Sequence, residues 1–410
     1  MRDTSTGGSR WTAHLVAGAA AALVAACGGT AGVGQAPERN AQGVSAHTIA
    51  IGTTLPLSGG AASSGAGFKA GLDAAVQEVN ARGGINGRKV QLTVLDDGFE
   101  AARSVANVRR LGDEDQVYAI VSPAGSANLP GSWPYVRAKG IPVFGPVLPP
   151  DPSLKSVFLL GTSHTDQARV IVDFLKTRGV KTIGYVGQDN DLGSSILEGV
   201  TEQARKDGLQ IVDEEKTEPN STDVSAAVLR LRDARPEAVV LGTDNTQTGL
   251  IMKQSKSLGF SPIFIGDSST ATTGAASAVN VAGSAADGLY GTMAVELTSD
   301  DTPAVRAYRA AMERYDPGQA DNAFALQAYA TCQVFFHIVK RQGNHLSWTD
   351  FVKVAETTRN LQTGLIPPVS FGSLPSGHTG THGAKIAQYR GAAPGGTWSV
   401  VTPAWITFKR

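Results

Sequence analysis

The sequence predicts an α/β protein built from two units of similar plan, and three observations carry this prediction. Short apolar runs typical of strands alternate with helical patterns over most of the chain, which indicates parallel sheets flanked by helices. The alternation begins at about residue 48 and begins again at about residue 157. The chain also has 410 residues, which is more than one ordinary domain needs.

The first unit opens with an apolar strand at 48–52, a polar glycine-rich loop and a helix at 67–82. Along that helix the apolar residues are spaced three and four apart, and Gly83 and Gly84 form a stop signal at its end. The same reasoning predicts the remaining elements of this unit, which are a helix at 101–111 and strands at 90–95, 119–122 and 142–145.

The second unit repeats this plan without repeating the sequence. Its predicted helices are 167–178, 193–207, 224–234 and 246–258, and its predicted strands are 182–186, 210–213, 238–241 and 263–265. The tail has helical patterns at 302–314, 323–341 and 349–358, and predicted strands at 369–371, 385–389 and 398–401. A run of helices after two α/β units indicates that the chain returns to complete the first unit.

The composition argues against several classes of partner. Lys and Arg total 36, as do Asp and Glu, so the chain lacks the basic surplus of most nucleic-acid-binding proteins. The glycines within 65–71 have the wrong spacing for a dinucleotide fingerprint. His378 and His382 are four apart in a glycine-rich loop without a third ligand nearby. We therefore expect no nucleic acid, no cofactor and no metal.

The N-terminal residues have the layout of a secretory signal, with basic residues, an apolar run at 11–26 and small residues before a cut site. The run is short for a membrane span, which needs about 20 residues. The small residues before Cys27 resemble the bacterial lipobox, whose cysteine is lipidated and becomes the new N-terminus. The prediction is a lipoprotein signal at 1–26, lipidation at Cys27 and a flexible linker at 27–47. The alternative is an ordinary secretory signal followed by a stray cysteine.

The roles of three further residues depend on their surroundings. Cys332 lies in a helical pattern and is expected to be a small buried hydrophobe. Ser126 follows a predicted strand and precedes a helix, so it can cap that helix and bind a ligand, or act as a nucleophile if a histidine lies beside it. Trp133, near the start of the same helix, either lines a cleft or packs in the core.

Two stretches, 51–59 and 71–90, carry a resemblance to a known family. The second reads GLDAAVQEVNARGGINGRKV. Shorter phrases follow in the expected order at 96–97, 140–144, 222–231 and 256–260. Together they closely resemble the branched-chain amino-acid-binding protein family. The members of this family are substrate-binding subunits of certain ABC importers, and the resemblance extends over almost all of residues 48–410.

The resemblance implies a type I periplasmic-binding fold. In this fold two lobes, each a parallel sheet flanked by helices, are joined by three crossovers and close on a ligand like a hinge. By alignment, lobe one is about 48–162 with 290–365, and lobe two is about 163–289 with 366–410. The ligand is expected at the carboxyl ends of the strands.

Family binding positions can be carried over one at a time. The serine that binds the ligand carboxylate matches Ser126, and the acid that pairs with the ligand ammonium falls on Asp267 or Ser268. The full set of expected ligand-binding residues is Ser64, Gly125, Ser126, Val147, Pro149, Leu192, Asp244, Asn245, Asp267 and Ser268.

Several of these positions depart from the family pattern. Pro149 stands where family members use the hydroxyl and N–H of a threonine, and proline has neither. The aromatic positions of the family fall on Ser64, Leu192 and the polar pair Asp244 and Asn245. These departures predict a ligand other than leucine, isoleucine or valine.

The resemblance implies a protein without enzymatic activity that delivers a small polar ligand, amino-acid-like or related, to an ABC permease. The expected partners are the ligand, the permease subunits and the membrane, which the protein contacts through its lipid anchor alone at the extracytoplasmic face. A monomer is expected. Two alternatives remain open, which are a lipid-anchored sensor that signals to a membrane partner and an exported hydrolase that uses Ser126.

Overall fold

The computed structural model describes residues 41–59, 61–124, 128–146, 151, 153–219, 221–272, 277–375 and 378–407. Residues Arg39–Arg410 form one compact unit. The predicted signal, the lipidation residue Cys27 and most of the predicted linker lie outside the described residues. Within the described ranges, no helix has both the length and the apolar character needed to cross a membrane.

The first sheet has five strands, β1 (Thr48–Leu55), β2 (Lys89–Asp96), β3 (Ala119–Val121), β4 (Val143–Phe144) and β5 (Val157–Phe158). They are parallel, in the order β2-β1-β3-β4-β5. The helices between them are α1 (Ala62–Ala81), α2 (Ala101–Asp113) and α3 (Trp133–Lys139). The predicted parallel α/β pattern of this region is confirmed.

The side chains of the first sheet alternate between two cores, as expected for strands that are covered on both faces. Phe144 of β4 and Phe158 of β5 belong to the core that α1 shares. Their neighbours Val143 and Val157 belong to the core beneath α2 and α3. Because neighbouring residues are buried on opposite faces, β3, β4 and β5 can consist of only two or three residues, all of them apolar.

The second sheet repeats that strand order and extends it. Its parallel strands are β6 (Thr182–Gln188), β7 (Gln210–Thr217), β8 (Ala238–Gly242), β9 (Ile263–Gly266) and β10 (Tyr290–Met293), in the order β7-β6-β8-β9-β10. Two antiparallel strands, β11 (Gly383–Arg390) and β12 (Thr397–Val400), follow beyond β10. A short strand, β13 (Ile406–Thr407), pairs with β11.

Helices cover both faces of the second sheet. They are α4 (His164–Thr177), α5 (Asp191–Asp207), α6 (Ser225–Ala234), α7 (Asn245–Ser257) and α8 (Ala278–Ala282). Ile183 and Tyr185 of β6 pack in the core with α4 and α5. Val239 and Leu241 of β8 pack in the core with α6, α7 and α8.

Three helices from late in the chain complete the first lobe, as the tail pattern predicted. They are α9 (Pro303–Tyr315), α10 (Ala323–Arg341) and α11 (Trp348–Glu356), and their apolar side chains join the core of α1. A Cβ atom on Gly71 of α1 would lie 2.0 Å from the carbonyl oxygen of Ala325, so only glycine permits this approach of α1 to α10. Cys332 of α10 is free and fully buried, which confirms its predicted structural role.

The chain passes between the two sheets three times, after β5, after β10 and before β11. The first and third crossings lie side by side, because the Leu159 N–H donates to the His378 carbonyl at 2.8 Å and the Gly380 N–H donates to the Leu159 carbonyl at 2.9 Å. The second crossing contributes Glu296, whose carboxylate lies 2.5 Å from the Nζ atom of Lys385 on β11.

Two lobe boundaries differ from those expected. The segment 290–293, expected in lobe one, forms β10 of the second sheet because its main chain pairs with both β9 and β11. Ile366, Val369 and Phe371, expected in lobe two, are buried in the core of the first lobe. The predicted strand at 369–371 is also wrong, since only Val369 forms an isolated bridge, to Leu361. Both crossings therefore occur a few residues later than expected.

Replacing Lys385 with alanine is expected to destabilise the protein by about 3–5 kcal/mol, because Glu296 would remain buried without its ionic partner. The two side chains are only 8% and 4% exposed, and burial raises the pKa of the Glu296 carboxyl. Urea unfolding near neutral pH measures the loss.

The matched control is Lys69→Ala. Lys69 pairs with Asp73 one turn away on the more exposed surface of α1, and such pairs contribute about 0.5 kcal/mol or less. The double replacement Lys385→Met with Glu296→Leu should recover most of the stability lost in Lys385→Ala, since no unpaired charge is then buried. Equal, small losses in Lys385→Ala and Lys69→Ala would contradict a stabilising pair at the crossing.

Candidate functional site

The carboxyl edges of the two sheets are turned toward the crossings. Strands β5 and β10 continue from their carboxyl ends directly into segments that lead to the other lobe. Because parallel strands of one sheet all end at the same edge, the loops after β1, β3, β6, β8 and β9 open toward the space between the lobes. Ligands of open α/β sheets bind outside this edge.

In each sheet there is a pair of neighbouring strands whose following helices pack on opposite faces of the sheet. In the second sheet, α5 follows β6 onto one face, and α7 follows β8 onto the other. In the first sheet, α1 and α3 diverge in the same way after β1 and β3. Such a switch point leaves a crevice between the two strand ends, so the candidate site lies where these crevices open.

A polar bridge spans the crevice of the second sheet. Gln188, the last residue of β6, donates from Nε2 to the Oδ2 atom of Asp244 at 2.7 Å. Asn190 donates from Nδ2 to the Oε1 atom of Gln188 at 3.1 Å. The strand ends of β6 and β8 are thereby held together by side chains that are hydrogen-bonded to one another.

Asp244 and Asn245, both expected at the site, lie at this edge and also begin α7. The Oδ1 atom of Asp244 accepts the Gln247 N–H at 2.9 Å, which caps the helix. The Oδ1 atom of Asn245 accepts the Ala278 N–H at 3.1 Å and thus ties α7 to α8. Their polarity therefore has a structural cause as well as the ligand-binding role that the sequence predicts.

Leu192 lies in the first turn of α5, after the cap residue Asn190, whose Oδ1 atom accepts the Gly193 N–H at 3.1 Å. Its side chain is half-buried and packs against the core under α4 and α5. The residue that replaces an aromatic of the family is thus at the expected edge but directs part of its apolar surface inward.

Asp267 and Ser268 directly follow β9 and therefore also lie at the carboxyl edge. Asp267 is only 1% exposed, and its Oδ2 atom lies 2.5 Å from the Nδ1 atom of His164, the first residue of α4. The Ser268 N–H donates to the Oε1 atom of Gln167 at 2.8 Å. The buried acid is thus covered by an imidazole, which is 44% exposed.

The contact with Asp267 makes this imidazole easier to protonate. The hydrogen bond to Asp267 raises the pKa of His164 above its usual 6.5, and this effect exceeds the opposing effect of burial. An ionised carboxylate accepts only, so the Nδ1 atom must be the donor. The pair therefore favours a protonated His164 at the edge of the second sheet.

In the first lobe, Ser64 lies in the first turn of α1 and donates to the Ala61 carbonyl at 2.7 Å. The loop after β1 is fixed by Asp96 at the end of β2, which accepts the Leu57 N–H at 2.9 Å and the Ser58 hydroxyl at 2.7 Å. These hydrogen bonds, the one from Ser58 above all, lower the pKa of Asp96 to about 2. Ser64 is thus at the expected edge, and its hydroxyl is bonded within its own helix.

Four expected ligand-binding residues, Gly125, Ser126, Val147 and Pro149, lie outside the described residues. They stay predictions, as does the hypothesis that Ser126 acts as a nucleophile. Trp133 is half-buried at the start of α3 and packs against the core beneath α2 and α3. This contact is the one expected under the alternative in which Trp133 packs in the core.

The two histidines considered as metal ligands have other partners. The Nδ1 and Nε2 atoms of His378 contact the Val157 carbonyl at 3.0 Å and the Glu356 carboxylate at 3.1 Å. His382 contacts the Asp166 carboxylate and the Thr379 carbonyl. Over the ranges that the structure describes, no group of three His, Cys, Asp or Glu side chains is arranged to hold a metal ion.

Sequence reasoning missed three residues of this edge, His164, Gln188 and Asn190. The predicted helix began at 167, so His164 was left in a loop, although Ser163 before it is a cap whose hydroxyl accepts the Asp166 N–H at 3.1 Å. The capping signal at Ser163 could have placed His164 on the first turn. No local signal identifies the contact with Asp267, which lies 103 residues later in the chain.

Comparison with known families gives one match that covers most of the chain. Residues 48–395 match the family described as periplasmic binding protein. An amino acid binding protein of Pseudomonas aeruginosa is 27% identical over 238 residues, which are 56% of this chain and 64%, less than two thirds, of that protein. Leu/Ile/Val-binding protein homolog 3 of Brucella melitensis is 26% identical over 81% of this chain and 88% of its own length.

Solved structures show the same fold. A branched chain amino acid ABC transporter from Thermus thermophilus with bound valine has a TM-score of 0.68 at 18% identity, over 88% of this chain and 97% of that chain. A branched-chain amino acid transporter substrate binding protein from Streptococcus pneumoniae in complex with isoleucine has a TM-score of 0.67 at 20% identity, over 87% of this chain and 100% of that chain. At these identities the likeness concerns the fold alone.

Replacing Asp267 with asparagine is expected to lower the pKa of His164, because a neutral amide holds the imidazole proton less tightly. In the natural protein the His164 pKa is raised on folding, so the stabilisation is complete below about pH 6.5 and is lost as the pH rises through the folded-state value. The variant should lose this pH dependence. Titration of the imidazole C–H signals by NMR measures the change.

The exposed His47, which precedes β1 at the opposite end of that strand, provides the internal control. Its C–H signals should have the same positions in both proteins. An unchanged titration of His164 in Asp267→Asn would contradict the assigned pair.

Proposed function

The chain belongs to the periplasmic binding protein family, and from that membership we propose that it captures a small polar solute between its two lobes and delivers it to an ABC importer. Proteins of this family bind solutes and are in general not enzymes. The structural neighbours confirm the two-lobed type I fold that the resemblance predicted. Capture and delivery require no chemistry, only a cleft that closes around the ligand.

The observation that carries this proposal is the pair of switch-point crevices that open toward the space between the lobes. The crevice of the second sheet has hydrogen-bonding groups from three strand ends, at Gln188, Asp244 and Ser268. A cleft with a few fixed polar groups is the usual form of a small-molecule site. The first and third crossings lie side by side, and hinge closure of two lobes needs rotation at only a few residues of such connections.

We further propose that the solute is not leucine, isoleucine or valine, although relatives carry names for these amino acids. Pro149 cannot supply the hydroxyl and N–H that the family uses for the ligand carboxylate. Asp267, at the position of the ammonium-binding acid, is buried beneath His164. These differences affect the binding of both the carboxylate and the ammonium group of a free amino acid.

Calorimetry of the purified protein with leucine, isoleucine and valine is therefore expected to show no micromolar binding. A thermal-shift screen of small polar solutes should instead find compounds that raise the melting temperature, since a ligand that binds only the folded state stabilises it by about 2.7 kcal/mol at a hundred times its Kd. Micromolar binding of any of the three amino acids would contradict the predicted specificity. It would leave the solute-binding function intact.

The lipid anchor at Cys27 is proposed from the lipobox-like residues before it. Several acyl chains on one cysteine hold a protein stably at a membrane, whereas a single chain binds only marginally. Cys27→Ser is expected to move the protein from the membrane fraction to the soluble extracytoplasmic fraction and to abolish incorporation of labelled palmitate. Cys332→Ser, which alters a buried thiol, is the control and should leave both unchanged. Membrane retention of Cys27→Ser would argue for another form of attachment.

A further inference from the structure

His164 occupies a position between the buried Asp267 and the cleft edge of the second sheet. It is the first residue of α4 and follows the first crossing directly. Its Nδ1 atom is 2.5 Å from the Oδ2 atom of Asp267, while the side chain as a whole is 44% exposed. Within the described part of the chain, its Nε2 atom has no hydrogen-bond partner.

The carboxylate of Asp267 has little capacity left for a ligand. Its Oδ1 atom accepts the Ser269 N–H at 3.0 Å and the Ser269 hydroxyl at 2.5 Å, and its Oδ2 atom faces His164. A carboxylate has about four lone-pair positions, so three are already used by protein donors. At 1% exposure, Asp267 is out of reach of an ammonium group unless His164 moves away.

Acids around the start of α4 have other hydrogen-bond partners. On α5, the Oε2 atom of Glu198 lies 3.5 Å from the hydroxyl of Thr165, the residue after His164. On α4 itself, Asp166 contacts Arg169 and, from the third crossing, His382. At the neighbouring strand end, Asp244 accepts from Gln188 and from the main chain of α7. The hydrogen bond to Asp267 and the negative charge of that carboxylate raise the pKa of His164.

We propose that the outward Nε2–H of His164 is the ligand-contacting donor of the second lobe, which selects a solute with a carboxylate and without the α-ammonium of a free amino acid. The inference rests on the proposed solute-binding function and narrows its ligand class. A protonated imidazole attracts a carboxylate through a charge-assisted hydrogen bond and repels an ammonium. The buried Asp267 holds the ring in place and keeps it charged.

Matched pairs of acids test this proposal, with leucine against 4-methylpentanoate, phenylalanine against 3-phenylpropanoate, and glutamate against pentanedioate as the probes. Thermal shift and calorimetry of the purified protein are expected to find at least one acid without the amino group that binds at least about tenfold more tightly than its amino counterpart. Its affinity should fall as the pH rises through the raised pKa of His164, because the imidazolium then loses its charge.

His164→Asn separates ligand contact from folding. The asparagine amide can still donate to Asp267 from about the place of Nδ1, but it has no atom at the place of Nε2. We expect a melting temperature near that of the natural protein, an affinity about tenfold lower for the best acid, and no remaining pH dependence of binding. His164→Gln, which can place a neutral N–H near Nε2, provides a second variant with an intermediate expected affinity. The control His47→Asn should bind unchanged.

Three outcomes would overturn the inference. Tighter binding of the amino acids than of their matched acids would reject the ligand class, and unchanged binding by a folded His164→Asn would reject the assigned donor. Both of these results would leave the solute-binding function standing. Absence of any thermal shift with all six probes would reject the carboxylate ligand class, whereas the proposed function fails only if the wider screen of small polar solutes also finds no stabilising compound.

Discussion

The main-chain pairing of the first and third crossings at Leu159 is the constraint on which the two-lobed structure depends. Leu159 donates to His378 and accepts from Gly380, and a hydroxyl of Thr162 donates to the Gly383 carbonyl at 2.6 Å further along. Two segments more than 200 residues apart in the chain are thereby held in parallel. The elements that follow these two crossings, α4 and β11, therefore start from a common junction.

The junction also explains why the polar groups of the second lobe are where they are. Helix α4 begins within a few residues of the first crossing, so the crossing fixes the position of His164 relative to the strand ends. Strand β9 ends at the same edge and brings Asp267 beneath the imidazole. The hydrogen bond between Gln188 and Asp244 spans the neighbouring crevice. Both carboxylate oxygens of Asp244 therefore already accept hydrogen bonds from donors of the protein.

Much of the fold could be predicted because long elements have strong local patterns. Helix α10 was predicted at 323–341 and has those bounds, since its apolar residues recur around nearly the whole helix and Asn322 caps it. Strand β10 was missed because its four residues, YGTM, have no alternation of their own and become a strand through pairing on both sides. The stretch 369–371 looks like a strand by composition, but its apolar side chains are buried in the first lobe without a ladder.

The sequence by itself determined the family, the α/β alternation and the edge at which a ligand is expected, because these follow from local periodicity and from motifs contiguous in the chain. It also brought Asp244, Asn245, Asp267 and Ser268 to the candidate site. Only the tertiary structure decided what those groups do. A carboxylate can receive a ligand only if its oxygens are free and exposed, and at Asp267 they are buried and bonded to Ser269 and to His164, which lies 103 residues earlier in the chain.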